Sequence, residues 1–399
     1  MRPAFTLRRA RGFSLVELMV ALAVGLVALL FATRLVVNGE INKDAAIGGS
    51  DSMQNGMLAL YSLSNDAAQS GWGLNDTLVA GCPTTFTDSA GYTLASVTAG
   101  GNTTTPLAAV IINANANGSD QISMYTGSSQ SGVGSLKVSK PVAAGATGLT
   151  TATANAYGFN IGDVLVVAPE PATAANPNCA VVQMTGFLNG DPNTITINAG
   201  ATYRFNPAGG FPYSYPINAA RIFNVGPGAR LALHTWTLSN GVLLLRSTDL
   251  PGSSQTPVAV TDNIVAIKGE YGFDTRVIAN YDPSPAPAGN GMQVTQWSTA
   301  MINADGDGVT GGPGDWQRVV AVRLAVVARS KSPEKPNLAG QCTATTAQPV
   351  VFSSAAPANV AAVPLTVSVA VPGDTVDWKC YRYRVFETIV PIRNSQWRP

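Results

Sequence analysis

The chain has 399 residues, enough for a sizeable core and one or two domains, yet only 12% of them are charged against 46% apolar. The formal net charge is +1. Without Arg2, Arg8, Arg9 and Arg11, twenty basic side chains face 23 acidic ones, about −3, a balance that argues against a nucleic-acid field. Forty glycines and 26 prolines point to many turns and few long helices after the N-terminus.

Residues 1–12 read MRPAFTLRRARG, a polar and basic leader. From Phe13 the chain turns apolar, and no charge falls between Leu18 and Thr33. The stretch 13–37 is long enough to cross a hydrocarbon core of about 30 Å as a helix. The leader arginines keep their end in the cytoplasm, which sends the rest of the chain outward. A secretory signal would place its small-residue cleavage site after the apolar stretch; here Gly12 comes before it. One acid, Glu17, lies near the helix start, where a carboxylate costs roughly 2.5–3.5 kcal/mol in a membrane. A cation must offset it. The α-amine of Phe13, freed by cleavage after Gly12, would serve, and the helix dipole favours an acid at that end.

The string Gly12-Phe13-Ser14-Leu15-Val16-Glu17-Leu18 resembles the type IV prepilin signature. The resemblance implies that a membrane peptidase cuts after Gly12 and that Phe13 becomes N-methylated. It also implies that Glu17 neutralises the N-terminal amine of a neighbouring subunit during assembly. The implied fold is α+β and pilin-like: a long N-terminal transmembrane helix packed on an antiparallel β-sheet head.

Residues 38–70 are expected to hold a polar connector, broken at Gly48-Gly49, and a helix restarting near Asp51. Met53, Met57, Leu60, Ser64 and Ala67 fall near helical spacing and mark a semi-buried face, with Gly71 or Gly73 as the stop. Residues 71–225 read as a β-rich elaboration of the head, with short β-like runs at 108–113, 121–125, 164–167, 180–184 and 194–197. Residues 226–399 read as the C-terminal β-sheet region. There, 230–238 and 242–246 flank Asn240-Gly241, a hairpin signal, and strands are expected at 264–273, 318–328 and 381–390. In the second of these, Val320, Val322, Leu324, Val326 and Ala328 share the face expected to be buried.

Glu270-Tyr271-Gly272-Phe273-Asp274, the strand 319–329, and the ending from Tyr383 through Arg393-Asn394 resemble PilW-type minor pilins. That family implies a non-catalytic structural or assembly-priming subunit near a pilus tip. Its implied partners are other minor pilins, the major pilin, a tip adhesin, the inner-membrane assembly platform and the prepilin peptidase. The implied location is the inner membrane, single pass with a periplasmic head, and then the fibre at the cell surface. A type II secretion pseudopilin and an adhesive or DNA-binding tip head are the rival readings.

The four cysteines, Cys82, Cys179, Cys342 and Cys380, form no CxxC pair, so zinc and redox motifs find no support. Three connectivities exist for an exported domain. Pairing of sequence neighbours favours Cys82–Cys179 and Cys342–Cys380, against four buried thiols. The one histidine, His234, has no nucleophile or carboxylate beside it in sequence, which argues against an enzyme built on it. Asn303, Asp305, Asp307, Val309 through its carbonyl, and Asp315 resemble part of a calcium loop, but Gly314 stands where the closing acid belongs. No other cofactor is implied. A Asp/Gly-rich turn without an ion is the competing reading. Lys379, Arg382, Arg384, Arg393 and Arg398 interleave with Trp378, Tyr381, Tyr383 and Trp397; a packed strand with outward arginines competes there with DNA binding.

Overall fold

The structure is a computed structural model that describes residues 12, 14–129, 134–153, 158–171, 178–200, 202–277, 291–337 and 339–396. The chain forms two compact units, Met1–Asp51 and Ser52–Pro399. One helix, Leu15–Gln69, contributes to both. It runs unbroken through Gly48-Gly49, contrary to the expected break. Each glycine costs about 1 kcal/mol, but extending a nucleated helix needs no new nucleus. The helix stops at Gln69, and Gly71 takes a φ of 83° that suits glycine.

In the first unit, every described residue from Ser14 to Val37 is exposed, including the whole candidate membrane span Leu15–Val37. In the second, the helix buries Ser52, Gly56, Ala59, Leu63 and Ala67, a stripe at helical spacing that Ser70 continues just past its end. This corrects the expected face. Met53 and Met57 are 44% and 53% exposed. The stripe is built of small residues because the head approaches closely. A Cβ on Gly56 would lie 2.1 Å from the Phe386 ring.

The head is rich in antiparallel sheet. A six-stranded sheet runs in the order Pro106–Leu107, Cys82–Thr85, Cys179–Gln183, Asp163–Pro169, Ala220–Pro227, Ser135–Lys137. Only the pairing of Cys82–Thr85 with Cys179–Gln183 is parallel within it, and Cys82–Cys179 bridges those two strands. Both faces are covered. Val164, Val166 and Ala168 enter the main core; Leu165 and Val167 enter a second core with Val182, Ile195, Phe211 and Ile222. Burial on both sides explains why this region carries so little charge.

A five-stranded sheet follows the order Val258–Asp262, Val242–Ser247, Ala232–Ser239, Gln121–Thr126, Val110–Asn113. Its central hairpin turns at Asn240 and Gly241, with φ of 49° and 78°, the two positive values that a tight hairpin requires. Strands from both sides of residue 225 share this sheet, so the expected division at 225 separates no unit.

A four-stranded sheet follows the order Gln296–Ser298, Ile264–Phe273, Val319–Arg329, Tyr383–Pro391. Val322, Leu324, Val326 and Ala328 enter the main core with Ile267 and Tyr271, the face expected to be buried. The opposite face is buried as well. The excursion 331–382, closed by Cys342–Cys380, folds back as a strap and lays Val351, Phe352, Val367 and Val369 on Ala325 and Val327.

Candidate functional site

The N-terminal site is simple. Gly12 is exposed, and Phe13 lies outside the described residues. Leu18 N donates to Ser14 O at 3.0 Å, which makes Ser14 the residue flanking the first turn and puts Glu17 at the third helical position. There the dipole's positive end favours a carboxylate. Glu17 is exposed among apolar side chains that are exposed too. Nothing in this unit's described residues covers that surface.

Three points hold the head half of the helix. Asp66 accepts from His234 Nδ1 at 2.7 Å and from Trp236 Nε1 at 2.8 Å. Asp249 takes the other imidazole nitrogen, His234 Nε2, at 2.9 Å. Phe386 fills the notch above Gly56. At the far end, Asn394 Nδ2 donates to the carbonyls of Gln69 and Ser70 at 3.0 and 2.9 Å, satisfying acceptors that a helix end leaves open.

Two carboxylates flanking one imidazole are satisfied only by the imidazolium. Burial alone would push His234 down, but the hydrogen bonds to Asp249 and Asp66 outweigh it and lift it to about 9. Ser247 Oγ donates to Asp249, not to the ring, and among the described residues both ring nitrogens meet carboxylates and no hydroxyl or thiol. The acids that flank His234 are not its neighbours in sequence: Asp66 lies 168 residues away and Asp249 15 residues on. The available signal was a lone acid beside the buried helical stripe.

In the Asn303–Asp315 loop the expected ligand side chains are engaged with the loop's own backbone. Among the described residues, no three Asp, Glu, His or Cys side chains are grouped to hold an ion. Its oxygens instead cap backbone amides: Asn303 takes Gly306 N, Asp305 takes Asp307 N, and Asp307 takes Val309 N. Asp315 accepts from Ala304, Asp305 and Gly311. Gly314, in the place of a closing acid, lies so near Asp305 that a Cβ would fall 1.9 Å from its carboxylate. The residues fit a self-capped turn better than a calcium cage.

The C-terminal aromatics are occupied with packing. Tyr381 is buried under Arg329, whose guanidinium lies 4.4 Å from its ring centre, and Tyr383 donates to Trp378 O. Arg382 pairs with Glu334; Arg384 and Arg393 are exposed. Trp397 and Arg398 lie outside the described residues.

Two family models match the chain. One, PilW, described as type IV pilus-assembly protein W, covers residues 234–394; the other, the prokaryotic N-terminal methylation motif, covers 7–33. No curated protein matches it. The first match begins at His234 and ends at Asn394, so it encloses His234, Trp236, Phe386 and Asn394, four residues that grip the helix.

Proposed function

Because this chain is a PilW-type pilin with a prepilin signature, we propose that it acts as a minor pilin, a non-catalytic subunit that joins or primes assembly near a fibre tip. Gly12 is the cleavage site, Phe13 the methylated N-terminus, and Glu17 the residue that docks on the Phe13 amine of a neighbouring subunit. The observation that carries this reading is Glu17 itself: one acid in the first turn of an apolar stretch that holds no other charge before Arg34, and whose described residues are all exposed. Such a carboxylate is costly in lipid by roughly 2.5–3.5 kcal/mol unless a cation meets it. An ion pair in that low dielectric would fix the register between subunits.

Before assembly the stretch 13–37 holds the chain in the inner membrane with its head in the periplasm, the sense that the leader arginines favour. Other minor pilins, the major pilin, a tip adhesin and the assembly platform are its partners. The bulk of the head supports a place near the tip, since repeated packing along a shaft favours smaller heads. A histidine held between two acids, with no hydroxyl or thiol on its ring nitrogens among the described residues, supports a structural head over a catalytic one. Intact-mass and N-terminal analysis of the chain from membranes and from sheared fibres tests the reading. We expect an N-methylated Phe13 in both fractions; a mature chain that still starts at Met1, or that has lost its apolar stretch, overturns it.

A further inference from the structure

Beneath the strap, on the outer face of the four-stranded sheet, three charged side chains form a row. Glu270 and Arg323 face each other across paired strands, and Arg323 Nη2 donates to Glu387 Oε2 at 3.0 Å on the far side. Arg323 and Glu387 together grip one residue of the strap. Phe352 N donates to Glu387 Oε1 at 2.8 Å, and the Arg323 guanidinium lies 4.9 Å from the centre of the Phe352 ring. Arg323 also donates to Ser354 O and Oγ, at 3.1 and 3.2 Å. The gripped residue is strained: Phe352 has a φ of 60°, a left-handed backbone that a bulky side chain rarely adopts.

Glu270 is the odd member of the row. It is 0% exposed, and among the described residues no group hydrogen-bonds either of its carboxyl oxygens. As an anion there it would be desolvated, and it would compete with Glu387 for the one guanidinium between them. We propose that Glu270 is the trigger of a proton-controlled latch: protonated, it leaves Arg323 and Glu387 to hold Phe352 and the strap down; ionised, it draws on Arg323 and lifts the strap.

The surroundings allow few other players. Lys268, two residues back on the same strand, is engaged with Asp120 at 2.8 Å. The strap contributes Phe352 and Ser354, and the outermost strand contributes Trp297, which donates to Ala356 O of the strap; none of these is charged. Burial pushes the Glu270 carboxyl up to about 7, with Arg323 opposing and Glu387 adding to the rise. The sign follows. A carboxyl that holds its proton more tightly when covered favours the closed strap fully below its ordinary value of 4.5, and that advantage is lost as pH rises through about 7.

Hydrogen exchange on the full chain in detergent, with rates divided by the intrinsic rate at each pH, tests this. We expect the protection of amides 350–369 to fall about tenfold between pH 5 and pH 6.5, a range in which the His234 contribution is still held, while the helix stripe stays protected. Glu270→Gln should keep the strap protected and flatten its pH response. Glu387→Gln, which removes the repelling neighbour, should weaken protection and move its loss to lower pH, a second reading if Glu270→Gln fails to fold. A flat wild-type profile, a Glu270→Gln profile that follows the wild type, or a Glu387→Gln transition that stays in place would each overturn the latch.

Discussion

The two halves of one helix make opposite use of their surface. From Ser52 to Gln69 the helix presents small residues to its own head, which fixes it with Phe386, the Asp66 cluster and Asn394. From Leu15 to Val37 it presents apolar residues to nothing in its own unit's described residues, with Glu17 as the one acid. The first half satisfies its needs within the chain; the second leaves both its apolar surface and its charge for an outside partner. Substitutions should therefore separate cleanly: those in the gripped half change head stability, and those in the exposed half change assembly.

The largest stability effect should come from Gly56→Leu. The new side chain would enter the volume of the Phe386 ring, at a cost of about 3 kcal/mol as for other overpacked contacts, read as a lower Tm. Adding Phe386→Ala should recover part of that loss, because the two residues share one space. Asp66→Ala should follow, at about 2 kcal/mol, since it leaves His234 Nδ1 and Trp236 Nε1 without their acceptor. The same cluster gives a pH signature. His234 gains its proton affinity on folding, from 6.5 to about 9, so its contribution is full below pH 6.5 and disappears as pH rises through 9. Thermal melts across that window should show the loss in the wild type and not in Asp66→Ala combined with Asp249→Ala. Asn394→Ala should cost only about 1 kcal/mol, one hydrogen-bonded cap.

What could be read from the chain followed how local each signal was. Asn240-Gly241 states its own turn, and the strand 264–273 matches its expected limits because Asn263 and Asp274, turn-forming types, flank it. The leader, Gly12 and Glu17 lie within a few residues of one another. The buried helix face differs from the one that spacing favours because its partner, Phe386, is far along the chain, and a methionine pattern is equally apolar on either side. The strand Val319–Arg329 alternates in both directions, so periodicity alone could not reveal that the strap covers its second face. His234 looked isolated because both of its acids come from other elements. The acids of the 303–315 loop suggested a cation, yet they cap their own turn.

The smallest expected effect on the head is also the most informative. Glu17→Ala should leave the head's melting curve and cleavage after Gly12 unchanged, while the chain disappears from sheared fibres and collects in the membrane fraction. Quantifying the variant in those two fractions beside the wild type asks whether the unmatched acid waits for a neighbour's amine. Fibres that incorporate Glu17→Ala at the wild-type level would contradict that.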